Sequence, residues 1–247
     1  HIGLSADDIN HMLDTLGYKD IDVFTEAVVP KNILNNDLPD IGEPLSEQSA
    51  LKKLQEIAKK NVVVKSMIGQ GYYSGYMPNV IKRNVFENPG WYTSYTPYQA
   101  EISQGRLEAL INFQTMVADL TNLDIANASL LDEPTAAAEA MTLAHRSSKA
   151  KSDTFLVDKN CFPQTVSIVK ARAKPLGINV EVVDLKEFNA NEAFGALFQY
   201  PGNDGSVEIS TELLAPLKDK GIITIAATDL LALTLIKAPG DLGFDIA

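Results

Sequence analysis

Residues 154–185, TFLVDKNCFPQTVSIVKARAKPLGINVEVVDL, decide the fold. TFLVD (154–158) and NVEVVDL (179–185) are short apolar runs, and a helical pattern covers about 163–174 between them. Two strands joined through a helix belong to a parallel pair, because a parallel connection needs a crossover of a dozen or more residues. Working outward, ANASLL (126–131), GALFQYP (195–201) and IITIAATDLLAL (222–233) read as further strands, with helices at about 135–149 and 210–220. Mostly apolar short strands alternating with helices predict an α/β domain whose parallel sheet is covered on both faces. The crossovers are expected to be right-handed.

Upstream the character changes. From Gly69 to Glu101 the chain is dense in Gly, Tyr, Thr, Ser and Pro, and a long helix follows at about Gln104 to Thr121. That helix is expected to turn Leu107, Leu110, Ile111, Val117 and Leu120 inward. Earlier still, Ser5 is suited to cap a helix carrying Ile9, Met12, Leu13 and Leu16 on one stripe, with Gly17 as its stop. A second helix from Ser46 presents Leu51, Leu54, Ile57 and Ala58. Between them PKNILNNDLPDIGEP holds few core residues. The expected organisation is a helical arm over residues 1–68 and an α/β domain over 69–247, since the first helices are too small to hold a core alone.

The 247 residues carry a net charge of -11 and no basic run, which argues against nucleic acid as a partner. No run of eighteen or more apolar residues exists to cross a bilayer, so no membrane association is expected. Cys161 stands alone, so no internal disulfide can form. No targeting segment is visible, and the expected location is cytoplasmic, or the mitochondrial matrix in a eukaryote. His1, His11 and His145 have no metal-ligand spacing with one another or with Cys161, so no metal site is expected.

Ligands of open parallel sheets bind beyond the carboxyl ends of the strands. Asp132, Glu133, Pro134 and Thr135 open a helix there, but two carboxylates and no glycine face its positive end, which favours capping over phosphate binding. Asp229 lies in an apolar run, where it could pair with a protonated ring nitrogen or simply close a strand end on backbone amides. The stretch Tyr92 to Ser103, with Tyr95, Thr96, Tyr98, Gln99, Glu101 and Ser103, can line a small-ligand pocket or form a packed loop. Tyr72 and Tyr73 are read as packing residues. No nucleophile elbow, zinc-protease, phosphate-loop or dinucleotide pattern is present.

Longer strings carry a resemblance. The segment from Ile68 to Glu133, with TPYQAEISQGRLE and NASLLDE inside it, then FLVDKNCFPQT, LFQYPGNDG and ATDLLAL, resembles the amino-terminal half of the glycine cleavage system P-protein family. The similarity runs over essentially the whole chain. It implies a pyridoxal-phosphate-dependent transferase fold (the fold type I large domain) and an enzyme that decarboxylates glycine. The aminomethyl group then passes to the lipoyl arm of a small carrier, H-protein. Such enzymes have two related halves or subunits, so a carboxyl-terminal half or second subunit is the implied partner, in a homodimer or an α2β2 assembly.

By the same resemblance the other half holds the cofactor and its lysine, and this half looks like a degenerate copy. Asp229 falls at the counterpart of the pyridine-nitrogen partner, and Phe162 near that of a ring-stacking His. Residues 132–135 replace the phosphate loop. Family members often have Gly at the position of Pro134 and His at that of Phe162, so both departures weaken a cofactor site here. The chain ends at Ala247, ahead of the expected lysine, and Lys237 is read as a solvated loop residue. No catalytic residue and no bound cofactor are therefore expected in this chain, which should be inactive alone. Its Tyr95–Glu101 loop is expected to face the partner half's cofactor. The alternative is a non-catalytic α/β domain that binds a partner or serves as a scaffold.

Overall fold

The computed structural model describes residues 3–247 except 36, 38, 93–98, 100 and 185–192. The chain divides into two units, His1–Val64 and Lys65–Ala247.

The first unit is helical. α1 (Ala6–Leu16) starts at Ser5, whose hydroxyl accepts from the Asp8 amide while Asp8 reaches back to the Ser5 amide, a reciprocal cap. It stops at Gly17, whose φ of 78° is the left-handed turn that glycine adopts without a side-chain clash. α2 (Ile21–Val28) is capped by Asp20, and Tyr18 meets Phe24 edge to face at 5.2 Å. α3 (Glu47–Ala58) starts on Ser46. Leu51, Leu54 and Ile57 on α3 are exposed.

The second unit begins with α4 (Asn79–Ile81), which runs into a π-helical turn at Lys82–Phe86. α5 (Gln104–Thr121) ends at Asn122, with φ of 50°. Four of its five expected inward residues are half-buried, but Ile111 is exposed. The remaining elements alternate: α6 (Glu133–Ser147), β1 (Thr154–Asp158), α7 (Pro163–Ala173), β2 (Asn179–Val183), β3 (Gly195–Tyr200), α8 (Thr211–Asp219), β4 (Ile223–Thr228) and α9 (Pro239–Leu242).

The four strands form one parallel sheet in the order β2-β1-β3-β4. Side chains alternate between its faces. Phe155, Val157, Leu197 and Ile225 pack under Met141 of α6 and Val169 of α7. Leu156, Ala196, Phe198 and Ala226 pack under Leu214 and Leu217 of α8 and Leu242 of α9. Each large apolar side chain so buried contributes about 1.5–3 kcal/mol. Gly195 opens β3 because a Cβ there would stand 2.9 Å from the Phe155 ring. β2, at the sheet edge, is the least buried strand.

Two expected strand assignments are corrected. ANASLL (126–131) pairs with no strand among the described residues and leads irregularly into α6. Its apolar end is exposed, Leu131 by 88%. The run 222–233 is a strand only to Thr228, because Asp229 turns the chain into a 3-10 turn at Ala232–Thr234.

Candidate functional site

Chain order reverses at the sheet's centre. β1 leads outward to β2, the chain then returns to the far side of β1 as β3, and β4 continues outward. A crevice at the carboxyl ends of β1 and β3 is where such sheets hold ligands.

Three elements converge on it. Asp132 caps α6 by accepting from the Thr135 amide at 2.9 Å, while Thr135 Oγ1 accepts from the Asp132 amide. This frees Glu133, one residue on, to turn its carboxylate toward α7 and the sheet. Thr165 Oγ1 donates to Glu133 Oε1 at 2.8 Å, and Gln199 Nε2 of β3 faces Glu133 Oε2 at 3.5 Å. Gln199 Nε2 also donates to the Ala227 carbonyl at 3.1 Å, joining β3 to β4. Burial pushes the Glu133 carboxyl above its ordinary range, and the Thr165 and Gln199 bonds offset part of that.

At the end of β1, Asp158 is buried and its carboxyl is raised by that burial, while its Oδ1 accepts from the Asn160 amide at 3.2 Å. Cys161 is buried, with Sγ 3.8 Å from the Leu197 carbonyl. Burial pushes its thiol well above the ordinary value. Phe162 and Pro163 then start α7. Over this start lies the turn Gly69–Gln70–Gly71, with φ of 65°, 55° and 86°. Gln164 Nε2 donates to the Gln70 carbonyl at 2.9 Å, and a Cβ on Gly71 would stand 2.9 Å from the Phe162 ring.

Asp229 follows β4, is exposed, and accepts from the Leu231 amide at 3.1 Å, the strand-end arrangement. Gln99 and Ser103 sit in the turn before α5. Gln99 O accepts from the Ile102 and Ser103 amides, and Ser103 is buried at the helix start. Glu101 is exposed in the same turn. Tyr95, Thr96 and Tyr98 lie outside the described residues. Lys237 lines an open cavity of about 400 Å³ beside Tyr200, Ser210 and Glu212, away from the Glu133 cluster. Thr165, Gln199 and Gly71 were not singled out by sequence reasoning. Gln199 had one visible signal, a polar side chain inside the apolar run GALFQYP.

The residues here do not fit pyridoxal phosphate. At the α6 terminus Pro134 has no amide hydrogen, the Thr135 amide is taken by Asp132, and the Glu133 carboxylate would repel a phosphate. The ring of Phe162 is packed on Gly71, and Asp229 is tied to its own turn. No chemical step through the cofactor follows from this crevice.

Comparison with known proteins agrees with the architecture. The chain is 52% identical, over its whole length, to a glycine dehydrogenase (decarboxylating) of Agrobacterium fabrum and 53% identical to one of Allorhizobium ampelinum. It spans 26% of the length of each. A crystal structure of glycine decarboxylase (P-protein) of the glycine cleavage system, in inhibitor-bound form, superposes on 99% of this chain and 56% of that one. The TM-score is 0.86 at 29% identity. The family model for the glycine cleavage system P-protein matches residues 1–247, and the chain belongs to that family.

Proposed function

We propose that this chain is the amino-terminal part of a glycine dehydrogenase (decarboxylating). In that reading the complete enzyme removes carbon dioxide from glycine with pyridoxal phosphate and passes the aminomethyl group to lipoylated H-protein. The observation that carries this is the 52% identity along the entire chain to a relative of that name.

A partner half or second subunit would hold the cofactor and its lysine. The misfit at Glu133, Phe162 and Asp229 supports that division. Exposed apolar side chains support a covering partner: Leu51, Leu54 and Ile57 in the first unit, and Tyr76, Phe86 and Trp91 in the second. Leu51, Leu54 and Ile57 share one face of α3, and an exposed apolar face of this kind marks an interface. Within the complete enzyme, Tyr95, Thr96, Tyr98, Gln99, Glu101 and Ser103 would line the pocket opposite the cofactor, the tyrosine phenols orienting glycine.

Two measurements test this. The chain titrated alone with pyridoxal phosphate should develop no borohydride-fixable absorbance band. A stoichiometric band would overturn the division of labour. In the complete enzyme, Tyr95→Phe and Tyr98→Phe should each lower kcat/KM for glycine by roughly 5- to 150-fold. Full activity in both would remove the tyrosine loop from the pocket.

A further inference from the structure

A cavity of about 400 Å³ lies between the start of α8 and the segment that follows β4. Val207, Ile209, Ile236 and Leu242 form its apolar wall. Tyr200, the last residue of β3, lines the same cavity and is only 3% exposed. Its phenol makes no hydrogen bond among the described residues, whereas the unbonded oxygens that are fully enclosed are Gln199 Oε1 and Thr228 Oγ1. The Tyr200 oxygen therefore opens into the cavity, and its partner has to come from there. Burial raises this phenol, so at neutral pH it keeps its proton and can donate. Most of the other polar groups are donors as well. Thr211 opens α8 with an amide that the helix leaves without an internal acceptor, and its hydroxyl has no partner among the described residues. Lys237 makes no direct ion pair among the described residues. Glu212 is the one acid in the lining. Its own amide and Ser210 hold its carboxyl below the ordinary range, and Lys237 adds to this, so its charge is tied to the helix start and balanced.

We propose that this cavity binds a small carboxylate with a branched aliphatic body. The carboxylate accepts from the Lys237 ammonium, from Thr211 and from the Tyr200 phenol at the positive end of α8, and the body lies on the apolar wall. The volume is that of a small-molecule site, which runs from roughly 300 to 1,000 Å³. A phosphate would set a second negative charge against Glu212 and leave the aliphatic wall uncovered. An amine would bring donors to donors. The acid is either a simple one or an α-amino acid, whose ammonium would meet Glu212, and the carboxylate and body are recognised alike in both. This inference does not depend on the catalytic reading above.

The test is an NMR titration of the isotope-labelled chain with isocaproate. Isoamylammonium, with the same body and the opposite charge, and isocaproamide, with no charge, are compared at matched ionic strength. Isocaproate should shift the backbone amides of Thr211 and Lys237 saturably. Isocaproamide should bind at least about tenfold more weakly, and isoamylammonium should give no saturable shift. Lys237→Met removes the charge at an exposed position and should weaken isocaproate at least about tenfold. Tyr200→Phe removes a hydroxyl that no contact of the fold uses. It should weaken isocaproate by roughly 2- to 10-fold and leave the melting temperature of the unliganded chain no lower. No saturable shift with isocaproate, equal binding of isoamylammonium, or unchanged binding in either folded variant would each overturn the proposal. Leucine, which adds an α-ammonium to the same skeleton, then separates the sources: tighter leucine identifies an amino acid, tighter isocaproate a simple acid.

Discussion

Gly71 rests on the ring of Phe162, so closely that a Cβ at position 71 would stand 2.9 Å from Cε2. Its φ of 86° adds a second requirement for glycine. The two residues are distant in sequence, yet their contact holds the 69–72 turn over the start of α7 and over the crevice.

Gly71→Ala should therefore destabilise the second unit by about 2–4 kcal/mol, combining a left-handed backbone penalty with a steric one. Urea unfolding checks this as a lower midpoint at unchanged m. Adding Phe162→Leu should recover the steric part and leave the backbone part, giving a coupling of at least about 0.5 kcal/mol in the double-mutant cycle. Strict additivity would mean that the contact does not form in solution.

Cys161 gives a kinetic prediction. Its thiol is 3% exposed and burial keeps it protonated, so the thiolate that attacks alkylating reagents is scarce and inaccessible. Iodoacetamide at pH 8 should modify the folded chain only as fast as the second unit opens, and the denatured chain rapidly. Rapid labelling of the native protein would place the thiol outside the core.

Much of the fold was legible because β1, β3 and β4 are buried on both faces and so read as continuous apolar runs. ANASLL carries a similar composition, but a strand is completed by a neighbour, and residues 126–131 have none among the described residues. The site was less legible for the same reason. Glu133 meets Thr165 across 32 positions and Gln199 across 66, so no local pattern announces the cluster. Asp229 was ambiguous because a ring partner and a turn-closing carboxylate look alike until the chain's direction after Thr228 is known.

Gly240 marks another close approach, at the start of α9. A Cβ there would stand 1.7 Å from the Asn122 carbonyl oxygen, and the backbone of Thr121 is also near. Asn122 Nδ2 donates to Asp241 beside it. Because the obstruction is backbone, no rotamer change relieves it, and α9 must separate from the end of α5. Gly240→Ala should cost about 2–4 kcal/mol and increase amide exchange at the end of α5. Asn122→Ala, which deletes the side-chain bond and keeps the approach, should cost less, about 1 kcal/mol. The reverse order would make the hydrogen bond, and not the absent Cβ, the determinant.

Glu133 makes the stability of the second unit depend on pH. Burial raises this carboxyl above its ordinary value of 4.5, so the folded chain binds the proton more tightly than the unfolded chain does. Stability contributed by Glu133 is then greatest below the unfolded value, falls as pH rises toward the folded value, and is fully lost above it. Glu133→Gln has no proton to lose and still presents an oxygen to Thr165 Oγ1. The variant should match the parent, or fall slightly below it, near pH 4. At pH 7 it should exceed the parent, seen as a higher Tm. Melting both proteins at several pH values gives the difference directly. A difference that stays flat with pH would show that Glu133 titrates alike in the folded and unfolded chains. A difference that turns against the variant at pH 7 would show that the parent's Glu133 carboxylate is favourably held in the fold.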